Sequence, residues 1–426
     1  MKYSYFSFLI YFFFLAKVTA QPNSFQPENL EFLKSQVETL HEKFLKNVTG
    51  SNSSKIKKYY EDFDVNFIKQ IEDGDFWFEK RMKNHLEQIL VKVYKANPEF
   101  KRKDHLWLIN KSLIPNAACY GNGIFSVNAG LFLQNCTDDE IAFVICHELA
   151  HLKKEHSLKR ITSIVETLNS EETKDRIKEA KNKRYGSTRA GLAVLDELST
   201  GILDHSKEAE SEADLTGLDL YKNTDYNKNA PATSLSKLGD YDDLMESFEI
   251  KLDTIFSTKE YPFKKYWTEK SSSLFVKEAN TNDFSMKSDT LKTHPDIKNR
   301  IKELQKTLSN SNGNQSNNLE KKINDENLQL IILQMSIDSG QLDFALFAML
   351  NSLENNRVDK MQYATLVSDL LLKLSDLKKN HELGKYVVSY KSDSDYYSIN
   401  EIRNFLYNIS YKNTLKLHKA YKSDNL

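Results

Sequence analysis

Residues 137–156 read Thr-Asp-Asp-Glu-Ile-Ala-Phe-Val-Ile-Cys-His-Glu-Leu-Ala-His-Leu-Lys-Lys-Glu-His. Thr137 with Glu140 three residues later is a capping box, which opens a helix. The apolar run from Ile141 to Cys146 sets that helix in a core, and the pattern carries it on beyond His156. Positions four apart on a helix share one face, a turn apart. His147 and His151 can therefore reach a single metal ion, and Glu148 between them can take a proton from the attacking water. The plain alternative is a surface helix with two ordinary histidines. The apolar setting speaks against it, because these side chains cost free energy in a core unless they are paired or metal-bound.

A catalytic zinc takes three protein ligands and keeps one open position, so a third ligand is required. Downstream stands Glu208-Ala209-Glu210-Ser211-Glu212-Ala213-Asp214-Leu215-Thr216-Gly217, in which three glutamates compete. Glu210 and Asp214 lie four apart on one helix face, so one can bind metal while the other orients a ligand histidine. Without the histidine motif this run would read as a solvated acidic face. His156 lies more than one turn past the pair and reads as structural rather than as a ligand.

These stretches closely resemble the gluzincin metallopeptidases that include the CaaX prenyl-protease type, the HtpX type and the soluble BepA-type periplasmic members. Those enzymes carry HExxH on one helix and ExxAD on a second. Residues 210–220, ESEADLTGLDL, fit the second motif. Residues 124–131, IFSVNAGL, resemble the family's edge strand, and Thr293-His294-Pro295 with Arg300-Ile301 resembles a further segment. The resemblance spans about residues 75 to 306. It implies a zincin-like fold, one Zn2+ per chain held by His147, His151 and Glu210, and Asp214 supporting a ligand. It also implies Glu148 as general base of a zinc endopeptidase. His294 would stabilise the oxyanion, or else satisfies a turn before Pro295. A protein or peptide substrate is expected to add as a strand along Ile124, Phe125, Ser126 and Val127. Two features depart from the family. Residues 157–206 are polar, against a membrane-inserted substrate, and the loop Cys119-Tyr120-Gly121-Asn122 has no counterpart.

Outward from the motif, the class expected is α+β and mostly helical: a peptidase domain with a small sheet, plus a helical C-terminal domain. Residues 21–74 read as an N-terminal helical segment and 75–308 as the peptidase domain. Within the latter, Phe76 to Tyr94 reads as one amphipathic helix and His105 to Ile109 as a strand. The Asn/Ser/Gly-rich 309–326 reads as a linker. Residues 327–426 read as helix pairs, either tetratricopeptide-like or a plain bundle, with client binding as an expected role. Residues 1–20 have the shape of a secretory signal peptide cut after Ala20, which predicts a secreted or periplasmic protein with no membrane insertion afterwards. The formal net charge of −1 gives no pull toward nucleic acid. Of the three cysteines, Cys119 and Cys136 are the expected disulfide pair, since Cys146 lies inside the apolar helix. The rival functional reading is a catalytically idle helical binding or chaperone-like protein, against which the intact Glu148 argues.

Overall fold

The computed structural model describes residues 24–133, 136–182, 207–269, 297–309, 326–354, 359–389 and 397–426. His294, the proposed signal peptide and nearly all of the 309–326 stretch lie outside them. The fold is mostly helical with one four-stranded mixed sheet, an α+β architecture.

The chain begins with α1 (Leu30–Leu45) and α2 (Ser53–Glu72), followed by β1 (Phe76–Trp77) and α3 (Lys80–Ala96). The helix expected from Phe76 thus starts later. Phe76 and Trp77 pair with Asn110 and Ile109, and Glu79 caps α3 by accepting from the Met82 N–H at 2.9 Å. After β2 (Leu106–Asn110), β3 (Ala117–Cys119) and β4 (Ile124–Asn128), the order across the sheet is β1-β2-β4-β3. β2 and β4 run parallel, and the other pairs are antiparallel.

Alternation along the strands serves two layers. Phe76, Leu108 and Ile124 point to one face, where Leu33, Val37, Phe67 and Ile71 of α1 and α2 cover them. Trp77, Trp107, Ile109, Phe125 and Val127 point to the other, into the main core. Trp107 and Phe125, opposite each other in the register, stack at 4.3 Å. The N-terminal helical segment is therefore the cover of the sheet's outer face.

The inner face packs on α3 and, after the short α4 (Gly130–Leu133), on α5 (Asp138–Lys153). The predicted capping box is present: the Thr137 hydroxyl accepts from the Glu140 N–H, and the Glu140 carboxylate accepts from the Thr137 N–H at 2.8 Å. Residues 139–150 are all buried, as befits a helix apolar around most of its surface. This helix does not run beyond His156. It ends at Lys153, Glu155 adopts a left-handed conformation (φ 55°), and α6 (His156–Asn169) starts in a new direction. α7 (Glu171–Asn182), α8 (207–222), α9 (Ala230–Ser247), α10 (Leu252–Ile255) and α11 (Ile297–Ser309) complete the peptidase region.

The expected Cys119–Cys136 bridge is not formed, and none of the three cysteines is joined in a disulfide. Cys119 reaches Glu148 through its backbone, whereas Cys136 precedes the N-terminus of α5. Some 16 Å of helix separates those two positions, while a disulfide needs Cα atoms within about 7 Å.

The C-terminal helices are α12 (Glu326–Asp338), α13 (Leu342–Glu354), α14 (Lys360–Lys379), α15 (Leu383–Tyr386), α16 (Tyr397–Asn408) and α17 (Tyr411–Asn425). α14 packs chiefly on α17, and α13 on α16 as well as on α12 and α14, so the arrangement is a bundle rather than a stack of sequential pairs. It is continuous with the peptidase core. Leu328, Ile331, Leu346, Phe347 and Phe405 belong to the same buried cluster as Phe125 and Ile145.

Candidate metal centre and active site

α5 and α8 lie against each other where the site forms, and a glycine lets them meet. A Cβ on Gly217 would stand 2.9 Å from the His147 Cα, closer than packed atoms tolerate. This contact brings Glu210, two turns earlier on α8, to the two histidines. The Nε2 atoms of His147 and His151 are 2.9 Å apart, and each lies 3.4 Å from a Glu210 carboxylate oxygen. One donor atom from each of His147, His151 and Glu210 falls within a 4.8 Å group. Of the three competing glutamates, Glu210 is the one that converges with the histidines. Glu212 points instead to Lys154 and His156.

Asp214 sits 2.9 Å from the His147 Nδ1, where it can fix which ring nitrogen carries the hydrogen. Arg300 on α11 holds Asp214 through two hydrogen bonds, Nε to one carboxylate oxygen at 2.6 Å and Nη2 to the other at 2.9 Å. Its Nη1 lies 3.1 Å from Glu210. In sequence Arg300 belongs to a family-like segment and carries no assigned role. Its bidentate grip on a buried carboxylate is a contact across 86 residues that no local pattern encodes.

Burial opposes ionisation of both acids, but their partners outweigh it. His147 and His151 hold Glu210 well below the usual carboxylate range, and Arg300 and His147 hold Asp214 down. Burial likewise opposes charge on His147, yet Asp214 and Glu210 prevail and push it up to about 10. Glu148 differs. Burial lifts it, and the nearby histidines and a Cys119 backbone hydrogen bond only partly oppose that. A lifted carboxylate is a better proton acceptor, closer to what a general base needs.

The site opens into a cavity of about 550 Å³. Leu131, Phe143, Val144, Leu235 and Leu238 make an apolar part of its wall, and α6 with Lys159 and Arg160 lines another. The strand at its rim is β3, not β4. β4 pairs with β2 on one side and β3 on the other, so Ile124, Phe125, Ser126 and Val127 cannot accept an added strand. Ala117-Ala118-Cys119 is too short and too small in side chain to stand out as a strand in sequence, which is why the edge was misplaced. Tyr120 N–H donates to Ile124 and Asn128 N–H to Asn116, so by alternation Ala117 and Cys119 turn their backbone groups to the free edge.

The donor set suits a divalent transition metal. Two imidazole nitrogens and one carboxylate converge with the fourth side toward the cavity, and the far nitrogen of each histidine meets a polar partner, Asp214 or His156. Residues 80–308 match the sequence profile of peptidase family M48, more than half of the chain. The chain belongs to peptidase family M48. No curated protein matches it significantly. As an M48 metallopeptidase it is a hydrolase, and His147, His151 and Glu210 of its two motifs form a group that could hold the metal.

Proposed function

We propose that this M48 metallopeptidase is a zinc-dependent endopeptidase, secreted or periplasmic, that cleaves extended segments of protein substrates. The observation that carries the reading is the convergence of His147, His151 and Glu210 beside a buried Glu148. A zinc ion held by those three residues would polarise the scissile carbonyl and acidify a water. The chain's own residues do the rest. Glu148, next to the ligands and lifted by burial, accepts the proton of the attacking water and returns it to the leaving amine. Asp214 and Arg300 keep His147 oriented.

The substrate is proposed to lie along β3. Of the groups on that edge, Ala117 N–H is taken by the Asn116 side chain at 2.8 Å and Cys119 C=O accepts from the Ser157 hydroxyl at 2.9 Å. The Ala117 carbonyl faces the cleft to receive a substrate N–H. Main-chain pairing of this kind gives affinity with little sequence demand. The apolar wall formed by Phe143, Val144, Leu235 and Leu238 favours an apolar side chain beside the cut. The location rests on the signal-like residues 1–20, and release of the chain without them into the medium or periplasm would check it.

The test is zinc content and casein digestion on the same preparation, wild type against Glu148→Gln. The variant should keep its zinc and lose about 10²–10⁴-fold in turnover, the usual loss with a general base. Zinc-loaded variant hydrolysing near the wild-type rate would refute Glu148 as base. Wild type and variant equally inert on many substrates would favour the idle binding protein.

A further inference from the structure

We infer that His156 and Glu212 are positioning residues for His151, holding its imidazole in the tautomer that presents Nε2 to the metal; this rests on the ligand set read above. The His156 Nδ1 lies 2.9 Å from the His151 Nδ1, and the His156 Nε2 lies 3.0 Å from a Glu212 oxygen. The other Glu212 oxygen accepts from Lys154 at 2.8 Å. His156 is buried, with a side chain 8% exposed, so its ring is held in place.

The proton positions follow from the partners. Ionised Glu212 only accepts, so the His156 Nε2 must carry the hydrogen. The Nδ1 of a neutral His156 then accepts, and the His151 Nδ1 must donate. That leaves the lone pair of His151 on Nε2, the atom beside Glu210. A doubly protonated His156 would force the His151 Nδ1 to accept and move its hydrogen to Nε2, where no metal could bind. The chain His151–His156–Glu212 thus does for one ligand what Asp214 does for the other.

The break in the helix makes this geometry. Along a continuous helix, a residue five positions on from His151 stands about 140° around the axis and faces elsewhere. The left-handed Glu155 ends α5 and turns the chain, and His156 folds back onto His151 with ring centroids 4.9 Å apart. Spacing along a single helix puts His156 too far from His151 to act on it, and the end of α5 at Lys153 removes that objection.

Groups that orient a metal-bound histidine typically contribute 10–100-fold in metal affinity. Glu212 and Lys154 are partly exposed, so their ion pair itself adds little. The full chain should be measured for zinc affinity by competition with a chromogenic chelator, and for the visible spectrum of its cobalt(II) form. H156A should weaken zinc about 10–100-fold and shift the cobalt bands. H156Q, whose amide oxygen can accept from the His151 Nδ1–H, should recover most of that loss. E212Q should fall between, and K154A should match wild type. Wild-type affinity and spectrum in H156A would overturn the assignment, as would H156Q no better than H156A. If H156A does not fold, E212Q carries the test, and wild-type affinity there overturns it. A wild-type chain that takes no zinc would overturn the ligand set itself, a result distinct from full loading beside an unaffected His156 variant.

Discussion

Arg300 is the residue on which the buried charges of the site depend. It is 4% exposed and faces two carboxylates, Asp214 and Glu210, across the gap between α11 and α8. Removing one partner of a buried ion pair leaves the other charge without compensation and typically costs about 3–5 kcal/mol. Arg300→Met keeps much of the volume and deletes the charge. It should lower the urea midpoint accordingly and weaken zinc binding, because Asp214 loses the grip that aims it at His147. Added zinc should recover less stability in the variant than in wild type, since a more weakly bound ion stabilises the folded state less. A midpoint unchanged by the substitution would show that Asp214 is held by something else. At this scale the sequence was legible where partners sit one turn apart, as His147 and His151 do. The choice among Glu208, Glu210 and Glu212 came from family resemblance, since spacing alone left it open. Arg300 and Glu212 escaped because their partners come from other elements, and the spacing of residues along a chain carries no trace of which helices will meet.

Between elements, the decisive contact is the approach of α8 to α5 at Gly217. A Cβ there would meet the backbone of His147 at 2.9 and 3.0 Å, and backbone cannot yield as a side-chain tip can. Gly217→Ala gains about 1 kcal/mol in helix propensity, against about 1–3 kcal/mol for overpacking. The net should be a modest loss in stability and a larger one in zinc affinity, because α8 backs away and carries Glu210 from its 3.4 Å contacts. Gly239→Ala is the matched control: the nearest atoms to its Cβ would be those of the Ile297 side chain, from 3.1 Å, which can shift. Chelator competition on both variants decides it, and equal zinc affinity in the two would mean that helix spacing does not set the ligand geometry. Elements were read well where periodicity was long. The capped motif helix starts at the residue expected, and the described residues 207–222 do form the second motif helix. Short elements were not. β1 has two residues and β3 three, so neither builds a pattern, and the order β1-β2-β4-β3 depends on pairings made far apart in the chain. The end of α5 was missed for a different reason. Glu155 takes a left-handed conformation without the glycine that usually announces one.

At the scale of the whole molecule, the C-terminal bundle reads in sequence as a separate unit because an Asn/Ser/Gly-rich stretch precedes it, yet its apolar side chains close the peptidase core. Phe347 of α13 meets Tyr241 and Phe248, with ring centroids 6.2 and 5.5 Å apart. Phe405 of α16 stacks on Phe256 at 4.7 Å, and the Ser398 hydroxyl donates to the Phe248 carbonyl at 2.8 Å. α9, which carries Tyr241, also packs on α5 and α11, so the bundle buttresses the helices that hold the metal ligands and Arg300. Each buried aromatic of this kind is worth about 3–5 kcal/mol against alanine, and a typical domain has only about 5–15 kcal/mol of net stability. A chain ending at Ser309 would expose the faces of Tyr241, Phe248 and Phe256 together. It should aggregate or unfold, and show no zinc-dependent hydrolysis of casein. The full chain should unfold in one calorimetric transition, with the van't Hoff and calorimetric enthalpies equal. Phe405→Ala should lower that single transition and leave it single. Two resolved transitions, or a soluble and active fragment ending at Ser309, would show that the bundle is an appended unit after all. In that case Arg300 and Gly217 would have to maintain the site without support from the bundle behind them.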